Sequence, residues 1–138
     1  MTGRGTGSPR GGDGGEPVTV LIVDDNGLFV AALEALLTGE AGIAVVGSAA
    51  DGEEALRLAG ELRPQVVLMD ISMPVLDGFE ATERIRAELP EIRVLMVTGS
   101  AADADVRRAR EAGACGYITK DRIAEELVRS IRDVAASC

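Results

Sequence analysis

The sequence predicts an α/β fold built on a five-stranded parallel sheet. Short apolar, β-branched runs recur along the chain, each the length of a strand buried on both faces. Between them lie longer segments whose apolar residues repeat at helical spacing. Glycine, proline or a capping aspartate punctuates nearly every junction. Strand and helix alternate five times, and such alternation means parallel strands joined by helical crossovers. A length of 138 residues suits one compact domain.

Residues 1–16 hold seven of the 17 glycines and read as a flexible tail. The folded unit is expected over 17–138, with no second domain inside the chain. Val18–Val23 is the first strand. Phe29, Leu33, Leu36 and Leu37 then form one helical face, which Gly39 and Gly42 end. Ile43–Val46 is a short second strand. Asp51 and Glu54 open the second helix as a capping box, with Ala55, Leu58, Ala59 and Leu62 as its buried stripe and Pro64 as its stop. Val66–Met69 is the third strand. Phe79, Thr82, Ile85 and Leu89 mark the third helix, ended by Pro90. Val94–Val97 is the fourth strand, and Val106 and Ala109 belong to a short helix closing at Gly113. Tyr117–Thr119 is the fifth strand, followed by a helix facing inward through Ile123, Leu127, Ile131 and Val134. Right-handed crossovers leave few topologies. Five strands favour the order 2-1-3-4-5, a flavodoxin-like (βα)5 three-layer sandwich.

Composition excludes several function classes. The net charge is −9, and Arg4 and Arg10 balance Asp13 and Glu16 in the tail, so the excess lies on the folded body. An acidic body repels nucleic acid and anionic membranes. No nucleic acid contact and no membrane segment are expected. With no histidine and two separated cysteines, Cys115 and Cys138, a bound metal must take oxygen ligands. Cys115 reads as a small packed residue, and the chain as a reduced, cytoplasmic one. Thirteen of the 14 basic side chains are arginine, and Lys120 is the sole lysine.

Ligands of such sheets bind beyond the carboxyl ends of the strands. Asp24 and Asp25 follow the first strand, Asp70 the third, Thr98 ends the fourth and Lys120 follows the fifth. All converge on one pocket in the expected order. Helix capping explains any one terminal aspartate. It does not explain an adjacent pair, a third carboxylate and the only lysine together. Carboxylates about 4 Å apart repel by roughly 4 kcal/mol at an effective dielectric near 20, so a pKa rises or a cation binds. Few hard oxygen donors with room for water suit Mg²⁺. Asp70 then reads as a nucleophile toward a phosphoryl group, with Thr98 as hydroxyl donor and Lys120 as mobile positive charge.

Over residues 17–138 the chain resembles the response-regulator receiver family. The motifs are VDDN after the first strand, MDISMPVLDG around Asp70, VTG after the fourth and GYITKD after the fifth. The resemblance implies phosphorylation of Asp70 by a partner sensor histidine kinase, since this chain has no histidine. It implies Mg²⁺ on Asp25 and Asp70 directly, on Asp24 through water, and on the backbone carbonyl of Ser72. It makes Thr98 and Tyr117 a coupled switch and Lys120 a phosphoryl clamp. Pro74 and Gly78 match turn positions of the same loop. Tyr117 is expected to turn inward as Thr98 moves toward the phosphoryl group. GACGYITKD and the following helix resemble the LuxR-type (NarL/FixJ) subgroup, which usually carries a C-terminal DNA-binding domain; none is expected within these 138 residues. The implied function is a phosphorelay receiver that regulates transcription through such a domain, is not itself an enzyme, and forms a homodimer on phosphorylation. Alternatives are a single-domain regulator and a phosphorylation-independent binding module. Asn26, Val30, Gly99 and Asp121 depart from common subgroup residues.

Two other readings fit less well. A flavin-binding flavodoxin needs neutral donors after the first strand, where this chain has two anions. A haloacid-dehalogenase-like phosphatase uses a DxD spacing that is absent there.

Overall fold

The computed structural model describes residues 16–71, 73, 76–99 and 102–137. The order is β1 (Val18–Val23), α1 (Gly27–Thr38), β2 (Ile43–Ala49), α2 (Gly52–Leu62), β3 (Val66–Asp70), α3 (Gly78–Glu88), β4 (Arg93–Thr98), α4 (Asp103–Ala112), β5 (Gly116–Thr119) and α5 (Ile123–Ser137). A single 3₁₀ turn, Lys120–Arg122, joins β5 to α5. The strands run parallel in the order β2-β1-β3-β4-β5, the expected doubly wound topology.

Alternation along each strand builds the two halves of the core. Leu21, Val23, Val67, Met69, Val94 and Met96 pack under α2, α3 and α4. Val20, Ile22, Val66, Leu68, Leu95 and Val97 pack under α1 and α5. Every residue of β3 is buried, which is why a central parallel strand reads as an unbroken apolar run.

The differences from expectation have local causes. β2 continues through Gly47 and Ser48, which interrupt the apolar run yet pair with Leu21 and Ile22 after a register shift. Leu36 and Leu62, placed on buried stripes, are both 40% exposed because each lies at the margin of its helix face. α1 ends before Gly39, whose φ of −82° is right-handed; the left-handed turn comes at Gly42. Arg63 adopts φ 51° at the end of α2, where the following Pro64 disfavours continued helix. Cys115 packs beside the α1/α5 layer but is disulfide-bonded, so the expectation of a simple packed thiol is corrected. The expectations for the tail over 1–15 and for Ser72, Pro74 and Cys138 fall outside the described residues.

Candidate functional site

Strand pairing brings the singled-out residues together. Val23 of β1 lies beside Met69 of β3, and Asp70 beside Val97 of β4, so these strands end nearly level. Asp24, Asp25 and Asp70 each offer a carboxylate oxygen within 4.8 Å of the others. The Lys120 Nζ hangs over them, 3.4 Å from Asp24 Oδ2 and 3.6 Å from Asp70 Oδ1. Thr98 is buried at the end of β4. The Ser72 carbonyl, expected as a further ligand, lies outside the described residues.

The loops holding these groups follow from local chemistry. Asn26 caps α1, accepting from the Leu28 and Phe29 amides, while its own amide donates to Asp24 Oδ1 at 2.9 Å. One residue thus fixes both the first helix and an acidic side chain. Asp77 caps α3 by accepting from Glu80 N. Gly78 is the first residue of α3 rather than a left-handed turn residue. It is needed for close approach, since a Cβ there would stand 2.1 Å from the Asp70 carbonyl oxygen. Gly52 plays the same part at α2, where a Cβ would meet the Leu76 carbonyl at 2.2 Å.

The electrostatics are those of an anion cluster waiting for positive charge. Burial, with the neighbouring Asp24 charge second, raises the Asp70 pKa from 3.8 to about 6, against the lowering effect of Lys120. Asp24 Oδ2 is buried and makes no hydrogen bond; the nearby Lys120 attracts it without bonding it. A buried carboxylate oxygen without a hydrogen-bond partner is costly, and a cation relieves it. The donors are all hard oxygens and Asp25 is exposed, which leaves a path for water; the set fits Mg²⁺.

Beside the acids, the Tyr117 hydroxyl is hydrogen-bonded to the Thr98 side chain, and burial raises the phenol pKa. The Tyr117 hydroxyl thus already meets Thr98. Several residues escaped sequence reasoning. Asn26 stood out only as a departure, although an Asn directly before a helix is a capping signal. Phe29 was read as core, yet its ring faces the Lys120 Nζ. Arg108 is 59% exposed on α4, and its guanidinium also lies 4.1 Å from the Phe79 ring centroid and 4.0 Å from Asp77 Oδ2.

Three strand-end acids, a lysine and a hydroxyl thus meet at one end of a doubly wound sheet. The chain belongs to the response regulator receiver domain family, whose pattern matches residues 20–132. It is a signalling module of two-component systems. It is 44% identical over 119 residues to the response regulator GacA of Pseudomonas aeruginosa, covering 86% of this chain and 56% of that protein. This chain thus spans little more than half the length of that relative. The signal receiver domain of the response regulator NarL from Mycobacterium tuberculosis superposes with a TM-score of 0.85 at 33% identity, over 90% of this chain and all of that one. A CheX–CheY–BeF₃–Mg²⁺ complex from Borrelia burgdorferi matches with a TM-score of 0.81 and 30% identity, over 87% of this chain and 90% of that one.

Proposed function

We propose that residues 17–138 act as a receiver that accepts a phosphoryl group on Asp70. The observation that carries this reading is the buried Asp70 carboxylate, held within 4.8 Å of Asp24 and Asp25 under the single lysine. An Asp70 oxygen attacks the donor phosphorus. An acyl phosphate forms, and the bond from phosphorus to the donor's leaving group breaks. The donor is a phosphohistidine on a sensor kinase, because this chain has no histidine of its own. Asp24, Asp25 and Asp70 would hold Mg²⁺, with the Ser72 carbonyl as a further ligand. When bound, the ion offsets the charge of the incoming group and orients it.

Lys120 supplies a mobile ammonium to the new phosphoryl oxygens, and the Thr98 hydroxyl turns toward them. That turn breaks the Thr98–Tyr117 bond and frees Tyr117 to re-seat. Phosphorylation adds roughly −1.5 to −2 charges, by analogy with phosphoserine, enough to drive such a rearrangement. The changed surface favours a homodimer and passes the signal to an output. The likeness to full-length regulators supports transcriptional output through a DNA-binding domain. Work with a kinase places the receiver in the cytoplasm, although reducing conditions there would open the Cys115 disulfide. No helix among the described residues is long and apolar enough to cross a membrane.

The test is incubation with acetyl phosphate and Mg²⁺, read by intact mass. Wild type gains one phosphoryl group, and Asp70→Asn and chelator-treated protein gain none. An adduct on Asp70→Asn at the normal rate would overturn the assignment. Partner binding that is the same with and without the donor would favour the phosphorylation-independent module.

A further inference from the structure

We propose that Phe29 is a positioning residue for Lys120, its ring serving as an uncharged seat that keeps the ammonium over Asp70. The proposal rests on the phosphoacceptor reading above and adds a residue to that site.

The geometry comes from two segments that meet across the sheet end. Asn26 fixes the first turn of α1 by accepting from the Phe29 amide, so the ring sits where the cap directs it. Lys120 opens the 3₁₀ turn that leads into α5. α1 and α5 cover the same face of the sheet, and Phe29 packs on that shared layer. The Lys120 Nζ lies 4.6 Å from the Phe29 ring centroid, inside cation–π range. Its side chain remains 35% exposed, so the ammonium is perched over the acids rather than sunk among them.

Charge alone does not keep it there. The ammonium divides its attraction between Asp24 at 3.4 Å and Asp70 at 3.6 Å, and neither contact is short. Asp24 is also one of the three acids that fit a cation. A cation on Asp24 and Asp70 weakens the hold of both carboxylates on the lysine. A four-carbon stem at a half-open site then gains entropy by swinging into water. The ring face attracts an ammonium without competing for the cation, because its attraction comes from a quadrupole and not a net charge. Phe29 therefore holds the lysine near the Asp70 oxygens at the stage when the acids hold it least.

The composition gives a clean readout. With one lysine in the chain, lysine-selective ¹³C labelling yields a single side-chain CH₂ε correlation. In wild type this signal should lie upfield of free lysine through the ring current, with Overhauser contacts from the ring protons of Phe29. Phe29→Tyr should keep both features, and Phe29→Leu should move the signal to the free-lysine position. Acetyl phosphate uptake at saturating Mg²⁺ should fall about threefold in Phe29→Leu, the factor of a cation–π contact at a partly exposed site, and recover in Phe29→Tyr. A wild-type lysine signal at the free position, or a Phe29→Leu rate equal to wild type, would overturn the proposal. If Phe29→Leu does not fold, the wild-type Overhauser contacts and the Phe29→Tyr rate decide it. Failure of wild type itself to gain a phosphoryl group overturns the phosphoacceptor reading instead, and the lysine signal reports separately on the ring contact.

Discussion

The central half of the molecule, β1, β3 and β4, and the edge half, β5 and α4, are built to different standards. In the first, β3 is buried throughout and the last four residues of β1 are buried. The helices entering there are capped by Asn26, Asp51 and Asp77 side chains. In the second, β5 has four residues of which only Ile118 is buried, and α4 starts at Ala102 without a side-chain cap. The acids stand on the first half, and Tyr117 and α4 make up the second. A transferred group needs fixed neighbours, whereas a readout needs an element that moves at low cost. The Thr98–Tyr117 hydrogen bond spans the two halves.

The largest expected effect concerns the rigid half. Asp70→Asn should abolish phosphoryl uptake, as above, and should also stabilise the fold near neutral pH. A carboxyl whose folded pKa is raised binds its proton more tightly when folded. Its stability contribution is therefore best below the unfolded value and declines as pH rises from 3.8 toward about 6. That rise corresponds to roughly 3 kcal/mol withheld at pH 7, an upper figure that relaxation around the site reduces. Urea titrations of metal-free wild type should show this decline across the window, and Asp70→Asn should flatten it. Saturating Mg²⁺ should restore stability to wild type but not to the variant. Parallel pH profiles for the two proteins would break the comparison, since the acids would then carry no strain.

The next effect tests the link. Thr98→Ala removes the hydroxyl that meets Tyr117, so the two halves should uncouple while Asp70 remains competent. Tyr117 is the only tyrosine and there is no tryptophan, so tyrosine emission reports this one side chain. Beryllofluoride with Mg²⁺ should change emission and quencher access in wild type. Thr98→Ala should bind the mimic, by NMR, with most of that change lost. An equal change in both proteins would mean that Tyr117 responds by a route that bypasses Thr98.

The two halves also differed in how legible they were. Asp24, Asp25, Asp70, Thr98 and Lys120 could be read because strand ends in a parallel sheet share one edge, and sequence order fixes which ends are neighbours. β1 was legible to the residue because its β-branched and aliphatic run, buried from Val20 on, is bounded by Pro17 and Asp24. What stayed hidden depends on contacts between segments far apart in sequence. Nothing local to Gly78 says that the Asp70 carbonyl lies against it, and the spacing of Phe29 is identical whether its ring meets core or ammonium. The same holds for Arg108, whose partners are Phe79 of α3 and the Asp77 that caps it.

The smallest effect sharpens the comparison most directly. If α4 is mobile because its first turn lacks a side-chain cap, supplying one should stiffen it. Ala102 is exposed and has extended-type dihedrals of −57° and 139°, which an Asp adopts without strain. In Ala102→Asp the new carboxylate can accept from amides of the first turn, at the position where Ser, Thr, Asn and Asp are preferred, and it meets the positive end of the helix. Asp105 and the nearby acids oppose it, so the gain should fall at the lower end of the usual range, about 0.5 kcal/mol. Amide exchange should slow across α4 and stay unchanged in α1 and α3. The emission response of Tyr117 to the phosphoryl mimic should shrink in proportion, while uptake on Asp70 holds at the wild-type rate. Slower exchange in α4 with an undiminished Tyr117 response would show that the readout does not depend on that helix yielding.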